Sequence, residues 1–348
     1  MFLLRADRPE ELAAYLAGVG VLGAGDAVVR TAPAGEGNMN CTVRAWTRHG
    51  SLVIKQSRPW VEKYPQFAAP WERACREMDF YAAVQGQVGV ADRMPRLVHP
   101  DARACLLVLE DLGEGGDLTA LYQGDRLSRA DQAILADYLG RLHRVAVPYP
   151  ERLRNREMRE LNHAHIFRIP WEPGNGPDLE AIAPGLKAAA EAVRGDADLG
   201  ERVGRLGQEV YLSDGTTLIH GDFFPGSLIR TGDGLRVIDP EFGFLGRAEF
   251  DVGVWWAHLL LAGQSVDLLE EWRRVYREPD GFEVELACQL AGVEMVRRLI
   301  GFAQLRLGCD PAGRLERLEI GVGLVRAPGW EGLLEGGRRL AGTGKVRP

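Results

Sequence analysis

HGDFFPGS, His220 to Ser227, and the VIDPEF that follows it, Val237 to Phe242, set one small polar and three acidic residues at fixed intervals. Asp222 ends a short apolar run that begins at Thr217, Ser227 lies five residues on, and Asp239 lies 12 further. The apolar pair Phe223-Phe224 and the turn-forming Pro225-Gly226 follow Asp222, so the sequence predicts a carboxylate held rigidly at the mouth of a cleft. Residues 227–230 and 235–239 read as strands joined by TGDG, a hairpin signal. Asp239 and Glu241 are i and i+2, which in extended backbone points both carboxylates to one side. Such a pair suits a hard cation, Mg²⁺, bridging phosphate oxygens. The plainer alternative makes Asp222 a helix cap and Asp239-Pro240 a turn after a strand. The two elements at this separation weigh against it.

Phosphoryl transfer requires this order: a carboxylate to take the proton of an attacking hydroxyl, a polar metal ligand, then an acidic metal ligand. It also requires an upstream Lys on a strand and a Glu on the next helix. Lys55 closes SLVIK, and Glu77 stands 22 residues later in WERACREMDFY, on a predicted helix. A Lys at a strand end is usually solvated surface; its order relative to the later motifs makes the pair meaningful. GEGNMN, 35–40, sits between two β-like runs, where Gly37 and Asn38 are candidates to offer backbone N–H groups to a phosphate. No GK[ST] occurs in the chain, so this is not a Walker loop; a plain hairpin turn is the alternative. Arg297 falls within the apolar stripe of Leu286, Leu290 and Val293, where a charge needs a carboxylate or anion partner. A structural salt bridge and a contact to substrate oxygen are both open.

Outward from these motifs, the texture divides the chain. A short helix is expected over 7–19, β-structure over about 27–56, a helix over 71–84 and a buried strand over 104–112. GEGGD, 113–117, reads as a hinge. Beyond it helices dominate: Ser128 and Asp131 open one with a capping-box-like start, 171–180 reads as a loop, and helices fill the remainder to about 340. The fold expected is α+β and two-lobed, with a small β-rich N-lobe over 1–112 for nucleotide and a larger, mainly helical C-lobe over 113–348 for catalysis and substrate.

At 348 residues, 46% hydrophobic and 26% charged, the composition is that of an ordinary globular protein. A net charge of −7 argues against a general nucleic-acid binder, and any anionic ligand must be met by local cations or a metal. The five cysteines are scattered, with no CxxC pair, and are expected as reduced thiols. MFLLRADRPEEL lacks the apolar run of a signal peptide, and the most apolar stretch, 252–263, is too short to span a bilayer; a soluble, cytoplasmic protein is expected.

These motifs resemble the aminoglycoside-phosphotransferase and choline-kinase family, of protein-kinase-like fold, and within it the 5-methylthioribose kinases. HGDFFPGS, VIDPEFGF and GRAEFD match the family's HGDLHTGS, VIDPEF and GxxGFD-type segments. Gly37 to Asn40, Lys55-Gln56, and Met295 to Arg298 with Gly301 match its GNLN loop, KQ strand and MIRR-x-x-G segment. The matches spread over about residues 35–303. The resemblance implies Asp222 as catalytic base, Asp239 with Glu241 as Mg²⁺ ligands, and Arg297 with Arg298 facing the sugar. Phe224 and Pro225 depart from the family's His and Thr, and GRAEFD from its GPMGFD, so nucleotide chemistry carries over better than substrate identity.

The expected activity is therefore ATP-dependent transfer of the γ-phosphate to a hydroxyl of a sugar-like small molecule, first 5-methylthioribose or a related pentose. Lys55, fixed by Glu77, is expected on the α/β-phosphates, with Ser227 assisting Asp239 and Glu241 at Mg²⁺ and residues 108–112 pairing the adenine through backbone. Neither nucleic acid nor membrane is an expected partner, and a homodimer is left open. Two rivals stand beside this: an aminoglycoside, amino-alcohol or homoserine kinase, and a catalytically idle nucleotide-binding module.

Overall fold

The computed structural model describes residues 2–35 and 39–343, which form two compact units. Gly37 and Asn38 lie outside the described residues. The first unit is Met1–Gly116 with Pro148–Met158 and Arg230–Gly243, so two later segments return to the N-terminal third.

In the first unit, helix α1 (Pro9–Gly18) covers a five-stranded antiparallel sheet. The strands are β1 (Val28–Pro33), β2 (Cys41–Thr47), β3 (Ser51–Gln56), β4 (Leu97–Asp101) and β5 (Leu106–Glu110), in the order β1-β2-β3-β5-β4. Period-2 alternation sets the two faces. Ile54 of β3 joins Leu12, Leu16, Val43, Ala45, Leu106 and Val108 in the core beneath α1. Lys55, one residue on, therefore faces the opposite side. There helix α2 (Arg73–Val84) buries Arg73, Ala74, Glu77, Met78, Tyr81 and Val84, a helical stripe with Glu77 at its centre.

The second unit is helical. Helix α3 (Arg129–Leu142) starts at Ser128, whose Oγ accepts from Asp131 N–H at 3.0 Å, as a capping residue should. A short ladder pairs β6 (Thr217–Ile219) with β7 (Phe244–Gly246). Every side chain of α4 (Ala248–Leu261) is buried, which explains the apolar run at 252–263: it is a core helix, not a surface one. Helix α5 (Val284–Ile300) packs against it, and α6 (Pro311–Arg326) packs against α5. The approach is close: a Cβ on Gly253 would meet Ala287 O at 2.6 Å, and one on Gly292 would meet Gly321 O at 2.5 Å. The expected loop over 171–180 is shorter than read, since Asp178 caps a single helical turn, Leu179–Ile182.

One expectation is corrected. Asp239 and Glu241 are not on extended backbone: Asp239 is left-handed, φ +60°, and Pro240–Phe242 is a 3₁₀ turn. Pro240 cannot donate to a strand ladder and fixes its own φ, so the strand ends at Val237 and the chain turns. The carboxylates are brought together by a bend, not by strand alternation.

Candidate functional site

The sequence-derived candidates fall into two clusters, one in each unit. In the first, β3, α2 and the bend after the strand Gly234–Val237 converge on one ammonium. Lys55 Nζ lies 2.7 Å from Glu77 Oε2, 2.8 Å from Asp239 Oδ1 and 3.9 Å from Glu241 Oε2. Burial opposes the charge on Lys55, but Asp239, Glu77 and Glu241 outweigh it and hold the amine well above its ordinary value. Burial pushes Glu77 up to about 7 against the pull of Lys55.

Three carboxylates around one ammonium leave negative charge in excess. The Asp239 side chain is half exposed, whereas that of Glu241 is only 9% exposed. Glu241 Oε2 accepts from Asn40 Nδ2 at 2.6 Å, and Asn40 Oδ1 accepts from Arg73 Nε at 2.8 Å. Arg73 is fully buried, and its other nitrogens donate to the carbonyls of Met39, Arg58 and Pro70. Asn155 Nδ2 donates to the carbonyls of Glu241 and Gly243 at 2.9 and 3.0 Å, holding the bend. Hard oxygens beside a net negative charge fit Mg²⁺, which takes one or two carboxylates together with phosphate oxygens. Among the described residues, no three His, Cys, Asp or Glu side chains are gathered to enclose a metal by themselves.

In the second unit, Asp222 follows β6 through His220 and Gly221. Asp251, fully buried on α4, accepts from His220 N–H at 2.6 Å and Gly221 N–H at 2.9 Å. His143 and Tyr276 extend this support, Nε2 lying 3.2 Å from Asp251 and Nδ1 2.6 Å from the phenol. Phe223 is the anchor: fully buried, it stacks on Tyr138 and meets Trp255 edge to face. Ser227, itself buried, donates its hydroxyl to the Asp222 carbonyl at 2.9 Å and so closes the turn. Burial raises the Asp222 carboxyl above its ordinary pKa, with Arg298 and Arg297 limiting the rise. Their outer nitrogens lie 3.6 and 3.8 Å from Asp222 Oδ1, too far for hydrogen bonds. Both arginines are over nine-tenths buried, and Glu294 holds them from behind.

Sequence reading missed the supports: Asp251, Glu294, Asn155, Asn40 and Arg73. Asp251 and Asn40 carried a signal, as the last residues of GRAEFD and of the Gly37–Asn40 match.

The family model of the phosphotransferase enzyme family matches residues 30–285, more than half of the chain. The chain belongs to this family. It is a phosphotransferase with an alcohol group as acceptor, as its motifs led one to expect. A methylthioribose kinase of Exiguobacterium sibiricum is 26% identical, over 84% of this chain and 86% of its own length. Another, of Bacillus velezensis, is 24% identical over 78% of each. Among solved structures, choline kinase of Streptococcus pneumoniae superposes with TM-score 0.52 at 14% identity, covering 90% of this chain and 98% of that one. Spectinomycin phosphotransferase does so with 0.51 at 12%, covering 91% and 97%. These bear out the protein-kinase-like α+β fold. No helix among the described residues is long and apolar enough to cross a membrane.

Proposed function

We propose that the chain transfers the γ-phosphate of ATP to a hydroxyl of 5-methylthioribose or a closely related pentose. The observation that carries this is the surroundings of Asp222: a partly exposed carboxylate faced by two buried guanidiniums whose outer nitrogens lie beyond hydrogen-bond distance of it. Donors of that kind suit the oxygens of a polyhydroxylated acceptor, while choline-like or aminoglycoside cations would want an acidic wall. The methylthioribose kinases among the relatives support the same choice.

In this reading Asp222 orients the acceptor hydroxyl and takes its proton, and its raised pKa makes it a stronger base than an ordinary aspartate. Arg297 and Arg298 fix the acceptor's other oxygens. Lys55, placed by Glu77, neutralises the α/β-phosphates. Asp239, by its exposed oxygen, and Glu241 would hold Mg²⁺, with Ser227 assisting; when bound, the ion neutralises charge on the phosphates. Gly37 and Asn38 are proposed to cover the phosphates.

The test is phosphate transfer from Mg·ATP across a panel of pentoses, amino sugars and amino alcohols. 5-Methylthioribose should be the best acceptor, and Asp222→Ala should abolish transfer while ATP still binds. Preference for an amino alcohol or aminoglycoside would replace the substrate assignment. ATP binding with no acceptor in the panel would favour an idle nucleotide-binding module.

A further inference from the structure

Beneath the Arg297–Arg298 pair lies a buried polar network that the phosphate chemistry does not use. Glu294, 1% exposed, stands three and four residues before the arginines on α5, so helical geometry puts all three side by side. Its Oε2 meets Arg297 Nε at 2.6 Å and its Oε1 meets Arg298 Nε at 2.7 Å. One carboxylate thus engages the inner nitrogen of each guanidinium and leaves both outer ends directed to Asp222. Arg297 and Arg298 hold Glu294 well below the usual carboxylate range although burial opposes them.

Behind Glu294, His258 Nε2 lies 3.1 Å from Oε1, and His258 Nδ1 lies 2.6 Å from the Tyr122 hydroxyl. Burial pushes His258 down to about 4, so the ring is neutral near pH 7. Directions then follow: an ionised carboxylate only accepts, so Nε2 carries the proton, Nδ1 accepts, and Tyr122 donates. The Phe224 ring covers Arg298, its centroid 4.7 Å from the guanidinium carbon, and abuts His258. Arg298 is therefore held by Glu294 at one edge and by an aromatic face.

We propose that Glu294 is a positioning residue for the acceptor: it forks Arg297 and Arg298 apart from Asp222, and Tyr122 and His258 lock it in place. Without it, only the Phe224 face on Arg298 opposes closure of the two guanidiniums from 3.6 and 3.8 Å into hydrogen bonds with Asp222, which would occupy the acceptor's donors and the proposed base together. Presetting both donors also lowers the ordering cost of acceptor binding. The inference rests on the proposal that the arginines bind acceptor oxygens.

The test compares the full-length wild type with Glu294→Gln and Glu294→Asp. With Mg·ATP and 5-methylthioribose, Glu294→Gln should raise the acceptor KM about tenfold or more while the ATP KM stays within about twofold. Glu294→Asp, which keeps the charge but is one methylene shorter, should recover part of the loss. Independently of activity, NMR of the protein labelled with ¹⁵N-arginine should show two Nε–H resonances shifted by their short carboxylate bonds and lost in Glu294→Gln. A folded Glu294→Gln with unchanged acceptor KM and both resonances in place overturns the proposal. If Glu294→Gln does not fold, Glu294→Asp decides: loss of one resonance with a raised acceptor KM supports it, and wild-type behaviour overturns it. Should the wild type transfer no phosphate to the sugar, the function reading fails while the resonances still decide the fork.

Discussion

At the scale of the residue, the chemistry of Asp222 is set by opposed influences. Burial raises its pKa, and two nearby guanidiniums restrain the rise. The group accepts a proton only when ionised, so in the proposed mechanism kcat/KM must fall as pH drops through its pKa. That acid limb is expected above about pH 4, the ordinary aspartate value. Arg298 is the larger of the restraining charges, so Arg298→Gln should move the limb to higher pH. A pH profile of kcat/KM for the acceptor, measured with saturating Mg·ATP and subsaturating acceptor, checks both. A limb unmoved by Arg298→Gln would mean that another group controls it. Lys55 offers a second prediction. Lys55→Met leaves Glu77, Asp239 and Glu241 without their shared cation, and breaking a buried pair in this way costs about 3–5 kcal/mol. Thermal unfolding should therefore drop by many degrees, beyond any loss of ATP affinity. A variant with unchanged unfolding temperature would show that the ammonium does not offset those charges.

At the scale of the element, what the sequence reveals and what it hides have distinct physical causes. Lys55 and Glu77 were legible because strand and helix periodicities are local, and each puts its residue on a definite face. Asp222 was legible from the apolar strand before it and the turn after it. The bend at Asp239 was not, because a left-handed aspartate is chosen by tertiary partners rather than by its neighbours in the chain. Those partners come from far away: Asn155 is 86 residues from Glu241, and Asn40 is 201. Glu294 hid for a related reason, since a lone Glu on a long helix looks like solvated surface until its burial is known. The bend carries the third prediction. Asn155 is itself left-handed, φ +44°, and its amide serves two carbonyls. Asn155→Ala should cost about 1–3 kcal/mol from the orphaned carbonyls and the strained backbone. Asn155→Gly relieves the backbone but not the carbonyls, so it should recover only part of that loss in denaturant unfolding. Full recovery by Gly would assign the whole effect to backbone strain.

At the scale of the whole molecule, a net charge of −7 says little about a chain that concentrates charge in a few places. Its buried ion pairs are costly to desolvate, and the Lys55–Glu77 pair tests whether such a pair is kept for stability or for placement. The folded-state pKa of Glu77, about 7, exceeds its unfolded value of 4.5, with burial the largest cause. A raised pKa means that the folded protein prefers the protonated acid. The stability from this group is fully present below pH 4.5 and is lost as pH rises through about 7. Lys55 shifts upward as well, but from 10.5, so its contribution stays constant across that window. In Glu77→Gln the amide carries no charge to desolvate, and Lys55 keeps Asp239 at 2.8 Å. The variant should therefore unfold at a temperature no lower than the wild type at pH 8, and its unfolding temperature should vary less between pH 5 and pH 8. Its KM for Mg·ATP should nonetheless rise, because Lys55 has lost the partner that fixes it on the proposed phosphate side. Differential scanning calorimetry at the two pH values, with steady-state kinetics alongside, separates the cases. Loss of several degrees at pH 8 with unchanged ATP kinetics would make the pair a stabilising element and remove its role in placing the lysine.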